Sequence, residues 1–188
     1  IVVKTPIVVK RGMTYDGRLA NGKWTRFVAA KNMGSGSQRE NQKPLFILQP
    51  GAKLQHIIID KPSADGIHVH GADGRTTTVQ HVQVRDVGED AITVKSGDND
   101  ARVVIRHCSF LKASDKVIQI NATPKVYIEN CYAQNFQRMI RACGTCGNKN
   151  YWISVKNVNA RNGDCVLKLS NSRARAFVDN VRVVNVDH

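Results

Sequence analysis

VQHVQVRDVGEDAITVKSG, running from Val79 to Gly97, is a short alternating strand that passes through a polar corner into a second strand. The same plan recurs in LQHIIIDKPSADGIHVHG from Leu54, VIRHCSFLKASDKVIQINA from Val104, YIENCYAQNFQRMIRACG from Tyr127 and ISVKNVNARNGDCVLKLSN from Ile153. The second strands align on Ile67, Ile92, Ile118, Ile140 and Leu167, at spacings of 25, 26, 22 and 27 residues. Self-similarity at this period is the mark of a solenoid, one copy per coil. Within each second strand the alternation Ile67-His68-Val69, Ile92-Thr93-Val94, Ile118-Gln119-Ile120 and Leu167-Lys168-Leu169 sends apolar side chains inward and polar ones outward. Helical spacing is nowhere convincing, and leucine is too sparse for a leucine-rich repeat of similar period. The reading is all-β: a right-handed single-stranded parallel β-helix forming one domain over residues 1–188.

Composition narrows the partners. Lys plus Arg number 28 against 15 Asp plus Glu, a formal net charge of +13, which attracts polyanions of any kind. The bases are spread along the chain and aromatic residues make up only 6%, so a base-stacking platform has little support and nucleic acid is not the expected partner. Hydrophobic runs are short and interrupted by charge, so no membrane association is expected. A chain beginning at Ile1 instead of Met is what a processed secreted protein or an excised domain looks like. Of the five cysteines, Cys143 and Cys146 form a CxxC, weak as a zinc signature without a second pair. A local disulfide and a bridge from one of the two to Cys165 are both open in an extracellular setting.

Coils stack about 4.8 Å apart, so aligned residues form columns. Two positions before the anchor the column reads Asp65, Asp90, Lys116, Arg138, Cys165; one further back it reads Ala64, Glu89, Asp115, Gln137, Asp164. Asp65, Glu89 and Asp90 would therefore crowd together and repel unless a cation neutralised them, and an all-oxygen ligand set favours Ca²⁺. Acids also suit solvated turns, which need no metal, and the columns alone leave both readings open. Cys108 and Cys131 stack inward as small hydrophobes. His56, His81 and His107 read as structural, and the recurring Asn130 and Asn157 as turn residues.

At these positions the sequence resembles the polysaccharide lyase family 3 pectate lyases. GMTYDG (Gly12–Gly17) resembles the family's GxTFDG, and GSGSQRENQKPLF (Gly34–Phe46) resembles GDGSQxENQKPxF. ADGIHV, VGEDAITVKS, SDKVIQINA and MIRACGTCG follow in the family's order. The resemblance implies a secreted, monomeric enzyme that cleaves polygalacturonate, the backbone of pectin in plant cell walls, by Ca²⁺-dependent β-elimination. It also implies Asp65, Glu89 and Asp90 as calcium ligands, Lys116 and Arg141 as catalytic bases, and Lys95 and Arg138 as substrate-binding cations. Arg138 stands where many members have lysine, and Ser35 where they have aspartate. RACGTC resembles the cysteine-bearing members, consistent with a disulfide-stabilised form. The same fold segment occurs in harpin-type effectors held to bind pectate without obvious cleavage, which supplies an alternative: a non-catalytic pectate-binding β-helix.

The chemistry sets its own demands. The C5 proton of a uronate sits beside a carboxylate whose charge makes it a poor acid, so that charge must be neutralised and a partly deprotonated base must be near. Lysine releases its proton far more readily than arginine, which favours Lys116 as base and Arg141 as the stabiliser of developing charge. Related families are assigned an arginine base, so Arg141 stays a candidate. Either base predicts activity rising toward alkaline pH.

Overall fold

The computed structural model describes residues 1–34, 42–147, 149–170 and 172–188; the Ser35 substitution lies outside the described residues. Within them the secondary structure is all strand: β1 (Val2–Val3), β2 (Ile7–Val9), β3 (Thr14–Asp16), β4 (Thr25–Ala29), β5 (Pro44–Leu48), β6 (Lys53–Ile59), β7 (Asp65–His70), β8 (Thr76–Val84), β9 (Ile92–Ser96), β10 (Arg102–Arg106), β11 (Ser109–Phe110), β12 (Ala113–Ile120), β13 (Lys125–Ala142), β14 (Trp152–Leu169) and β15 (Arg175–Val186). Every pairing between these strands is parallel, and the sheet order β1-β4-β6-β8-β10-β13-β12-β9-β7-β5-β2 is that of a chain winding coil upon coil. The parallel β-helix expected from the repeat is the fold.

The column read from the sequence is the observed register. Ile67 pairs with Ile92, Ile92 with Ile118, Ile118 with Ile140 and Ile140 with Leu167; Phe46 extends the column one coil earlier. All four isoleucines are fully buried, as are Val69, Val94, Ile120 and Ala142 two positions on. A slip of one residue would turn every one of these outward, so burial pins the register.

Three faces wind around this core. The first runs through β3, the start of β6 and β8, β10, and the start of β13, β14 and β15. The second continues through β4, the end of β6 and β8, β11, and the middle of β13 and β14. The third comprises β2, β5, β7, β9, β12 and the ends of β13 and β14. What reads in sequence as a single first strand is thus two, bent at one column: His56, His81, His107, Asn130, Asn157 and Asn180, all with φ between 50° and 55°. Asn and His tolerate the left-handed region better than most side chains, which explains their recurrence. The three imidazoles stack at 5.2 and 5.1 Å, and the Asn180 amide donates to Asn157 Oδ1 at 2.8 Å, so the bends also bond coil to coil. A second bend of the same kind at Asn135, Asn162 and Asn185 joins the second face to the third in the later coils.

Candidate active site

The corner between the second and third faces positions the predicted residues. Gly66 N–H donates to the Asp90 carbonyl and Ala91 N–H to the Lys116 carbonyl, each at 3.0 Å, so Asp65, Asp90 and Lys116 rise one above another on successive coils. Gly66 is required for this closeness: a Cβ there would lie 2.2 Å from the Ala91 carbonyl oxygen. Arg138 continues the column, paired in register with Lys116 and followed by Cys165.

Beside the column, on the outer side of the third face, lies a polar cleft of about 310 Å³. Asp65, Glu89, Asp90, Lys95, Lys116 and Arg141 all line it, so six of the seven residues singled out in the sequence converge. Arg138 does not line the cleft; it donates to Asp115 Oδ1 at 3.2 Å and Gln137 Oε1 at 2.7 Å. A larger concavity of about 800 Å³ over the second face, beside Trp24 and His107, contains none of the seven.

The charges in the cleft are already partnered in a specific way. Asp65 accepts from its neighbour Gly66 N–H at 3.1 Å and lies 2.7 Å from His68 Nε2. Asp90, only 5% exposed, accepts from the Thr93 hydroxyl on Oδ2, while its buried Oδ1 accepts no hydrogen bond and faces Lys116 Nζ at 3.3 Å. Burial pushes the Asp90 carboxyl up to about 6, with the charges of Asp65 and Asp115 adding and Lys116 opposing. Lys116, 7% exposed, donates to Asp115 in an ion pair and sits between that residue and Asp90. Arg141 contrasts with it: its ion partner is no acid among the described residues, and its buried Nε has no acceptor.

No three His, Cys, Asp or Glu side chains among the described residues form a ready cage. The donor set nonetheless fits a hard cation: hard carboxylate oxygens, with the Asp90 Oδ1 buried and short of a hydrogen-bond donor. Lys116 supplies a positive charge at the same place.

His68, Thr93 and Gln119 are cleft residues that reading for charged columns passed over. Their signal was present as parity: they pair in register as the outward row that ends in Arg141 and Lys168. The rim beyond Arg141 is closed by a disulfide between Cys143 and Cys146, which decides for the local bridge. Cys165 is free, and Cys108 and Cys131 are buried thiols, as expected from their inward parity.

Comparison with known proteins gives the assignment. The family model described as "Pectate lyase" matches residues 1–187. The chain belongs to the pectate lyase family. This agrees with the motif resemblance, and the relatives are of the same kind. The chain is 32% identical over 168 residues to "Probable pectate lyase F" of Aspergillus terreus, covering 88% of this chain and 70% of the relative. To "Probable pectate lyase D" of Neosartorya fischeri it is 28% identical over 182 residues, covering 96% and 71%. To "Pectate lyase E" of Emericella nidulans it is 29% identical over 160 residues, covering 85% and 59%. In this pectate lyase fold the cleft sits where neighbouring coils stack acids and bases into columns.

Proposed function

We propose that the chain is a pectate lyase whose single β-helix domain cleaves α-1,4-polygalacturonate by Ca²⁺-dependent β-elimination, leaving 4,5-unsaturated oligogalacturonides, and that it works outside the cell. The observation that carries this is the convergence of Asp65, Glu89, Asp90, Lys95, Lys116 and Arg141 on one cleft in a chain of this family. The Cys143–Cys146 disulfide suits an oxidising compartment.

Elimination removes the C5 proton; its bonding electrons form the C4–C5 double bond as the glycosidic oxygen departs from C4 and takes up a proton. Asp65, Glu89 and Asp90 would hold Ca²⁺, which would neutralise the uronate carboxylate and so make C5–H more acidic. Arg141, with its unsatisfied buried Nε, pairs with the uronate carboxylate and holds the negative charge that spreads onto it as the proton leaves. Lys116 accepts the proton, since lysine can lose its own where arginine does not. Its ammonium is engaged by Asp115 and Asp90, which fix its position in the cleft. Arg138 braces Asp115 from the next coil and so fixes Lys116. Exposed Lys95 meets a uronate further along the polymer.

The test is ultraviolet absorbance of the unsaturated product from polygalacturonate, at neutral and alkaline pH, with Ca²⁺ or with chelator. Calcium-dependent absorbance that disappears in Lys116→Ala and Asp90→Ala is the expected result. Pectate binding without absorbance would refute lyase chemistry and leave a binding domain.

A further inference from the structure

We propose that the first face of the β-helix carries a second binding surface for acidic polysaccharide, built on Tyr127, Trp152 and Phe177 together with Arg102, Lys125 and Arg175. The choice of ligand rests on the pectate reading above. On an alternating strand the outward positions need no apolar side chain, and here the core is supplied by Val126, Ile128 and Ile153, all fully buried. The alternate positions nevertheless carry aromatic rings. Tyr127 and Trp152 lie with ring centroids 5.0 Å apart, and Trp152 and Phe177 5.3 Å apart, so a stripe crosses three successive coils. Phe177 is 54% exposed, and Trp152 is one of only two tryptophans in the chain. Aromatic residues are scarce in this protein, and a run of them turned to solvent has no part in the core.

The cations are laid along the same stripe. Arg102 pairs in register with Lys125, Lys125 with Trp152 and Trp152 with Arg175, giving a row along the helix axis with one step per coil. None of these three cations forms an ion pair among the described residues. Lys125, Trp152 and Arg175 line a concavity of about 530 Å³ with the amides of Asn99 and Asn150.

A uronate offers what such a row can recognise: a C–H face that packs on an aromatic ring, hydroxyls for amides, and one carboxylate per sugar for Arg or Lys. The coil step of about 4.8 Å is close to the length of one sugar in an extended chain, so carboxylates can meet Arg102, Lys125 and Arg175 while the sugar between the last two packs on Trp152. Single-stranded nucleic acid is disfavoured because the rings lean on one another at 54° and 39°, leaving no flat platform for a base. The surface lies on a different face from the cleft, so it would anchor polymer without entering the reaction.

The test uses the full chain carrying Phe177→Ala or Arg175→Glu, each at an exposed position, with unchanged thermal unfolding as the folding control. Two readouts are taken: retention in native gels cast with polygalacturonate and chelator, and cleavage kinetics on the polymer and on a short oligogalacturonide. The expected result is lost retention and a KM for polymer raised about 2–10-fold, with kcat and oligomer cleavage unchanged. Unchanged retention and polymer KM in both variants would overturn the proposal. So would retention that a single-stranded RNA abolishes at equal charge while short uronates do not. If the oligomer is not cleaved yet retention still depends on Phe177 and Arg175, the surface stands and the lyase reading falls.

Discussion

Replacing Asp90 with Asn should make the calcium-free protein more stable while abolishing its activity. The carboxyl is pushed from 3.8 up to about 6, mainly by burial. Because the folded value lies above the unfolded one, the neutral form is preferred on folding. The associated stability is fully present below 3.8 and is lost as pH rises through about 6. At pH 8 ionised Asp90 therefore destabilises the fold by about 3 kcal/mol, and at pH 4 by less than about 1 kcal/mol. Asparagine has nearly the same shape and carries no charge, and Lys116 keeps Asp115 as partner. With chelator at pH 8, Asp90→Asn should raise the unfolding temperature by about 3–10 °C. That gain should shrink to near nothing at pH 4, and Ca²⁺ should stabilise only the parent protein. A variant no more stable than its parent at pH 8, or a gain independent of pH, would refute the assignment of Asp90 as a buried, strained charge kept for function.

Lys116→Ala should reduce kcat on polygalacturonate by about 10²–10⁴-fold with little change in polymer retention, measured by product absorbance and native gels. Gly66→Ala should destabilise the fold by about 1–3 kcal/mol and weaken calcium-dependent activity, because a Cβ 2.2 Å from the Ala91 carbonyl oxygen must push the Asp65 and Asp90 coils apart; denaturant unfolding measures the first effect. Ile118→Ala, in the fully buried column, should cost about 2–5 kcal/mol in the same assay. Calcium affinity followed by titration calorimetry should fall as pH drops through about 6, where the proton competes for Asp90.

The β-helix was legible because its repeat satisfies two conditions at once. Alternation of period two decides which side chains face in, and the 22 to 27 residue spacing stacks Ile67, Ile92, Ile118 and Ile140, since any slip would expose the whole inward row. The same logic carried Asp65, Asp90 and Lys116 into one column and Arg141 onto the outward side beside it. The bend at His56, His81 and His107 was not legible as a bend, because an isolated residue with positive φ leaves the apolar pattern on either side of it intact.

Sequence alone determined the coil period, the inward row and the sites of the acids and bases, because these depend on order along the chain. Tertiary structure alone decided that Lys116 is held between Asp115 and Asp90, that Arg138 turns to Asp115 instead of the cleft, and that Cys143 closes on Cys146 and not Cys165. It also decided that Tyr127, Trp152 and Phe177 meet as one stripe. Each of these depends on side-chain reach between coils more than 20 residues apart or across a loop, and short-range forces act on such pairs only after the chain has wound them together.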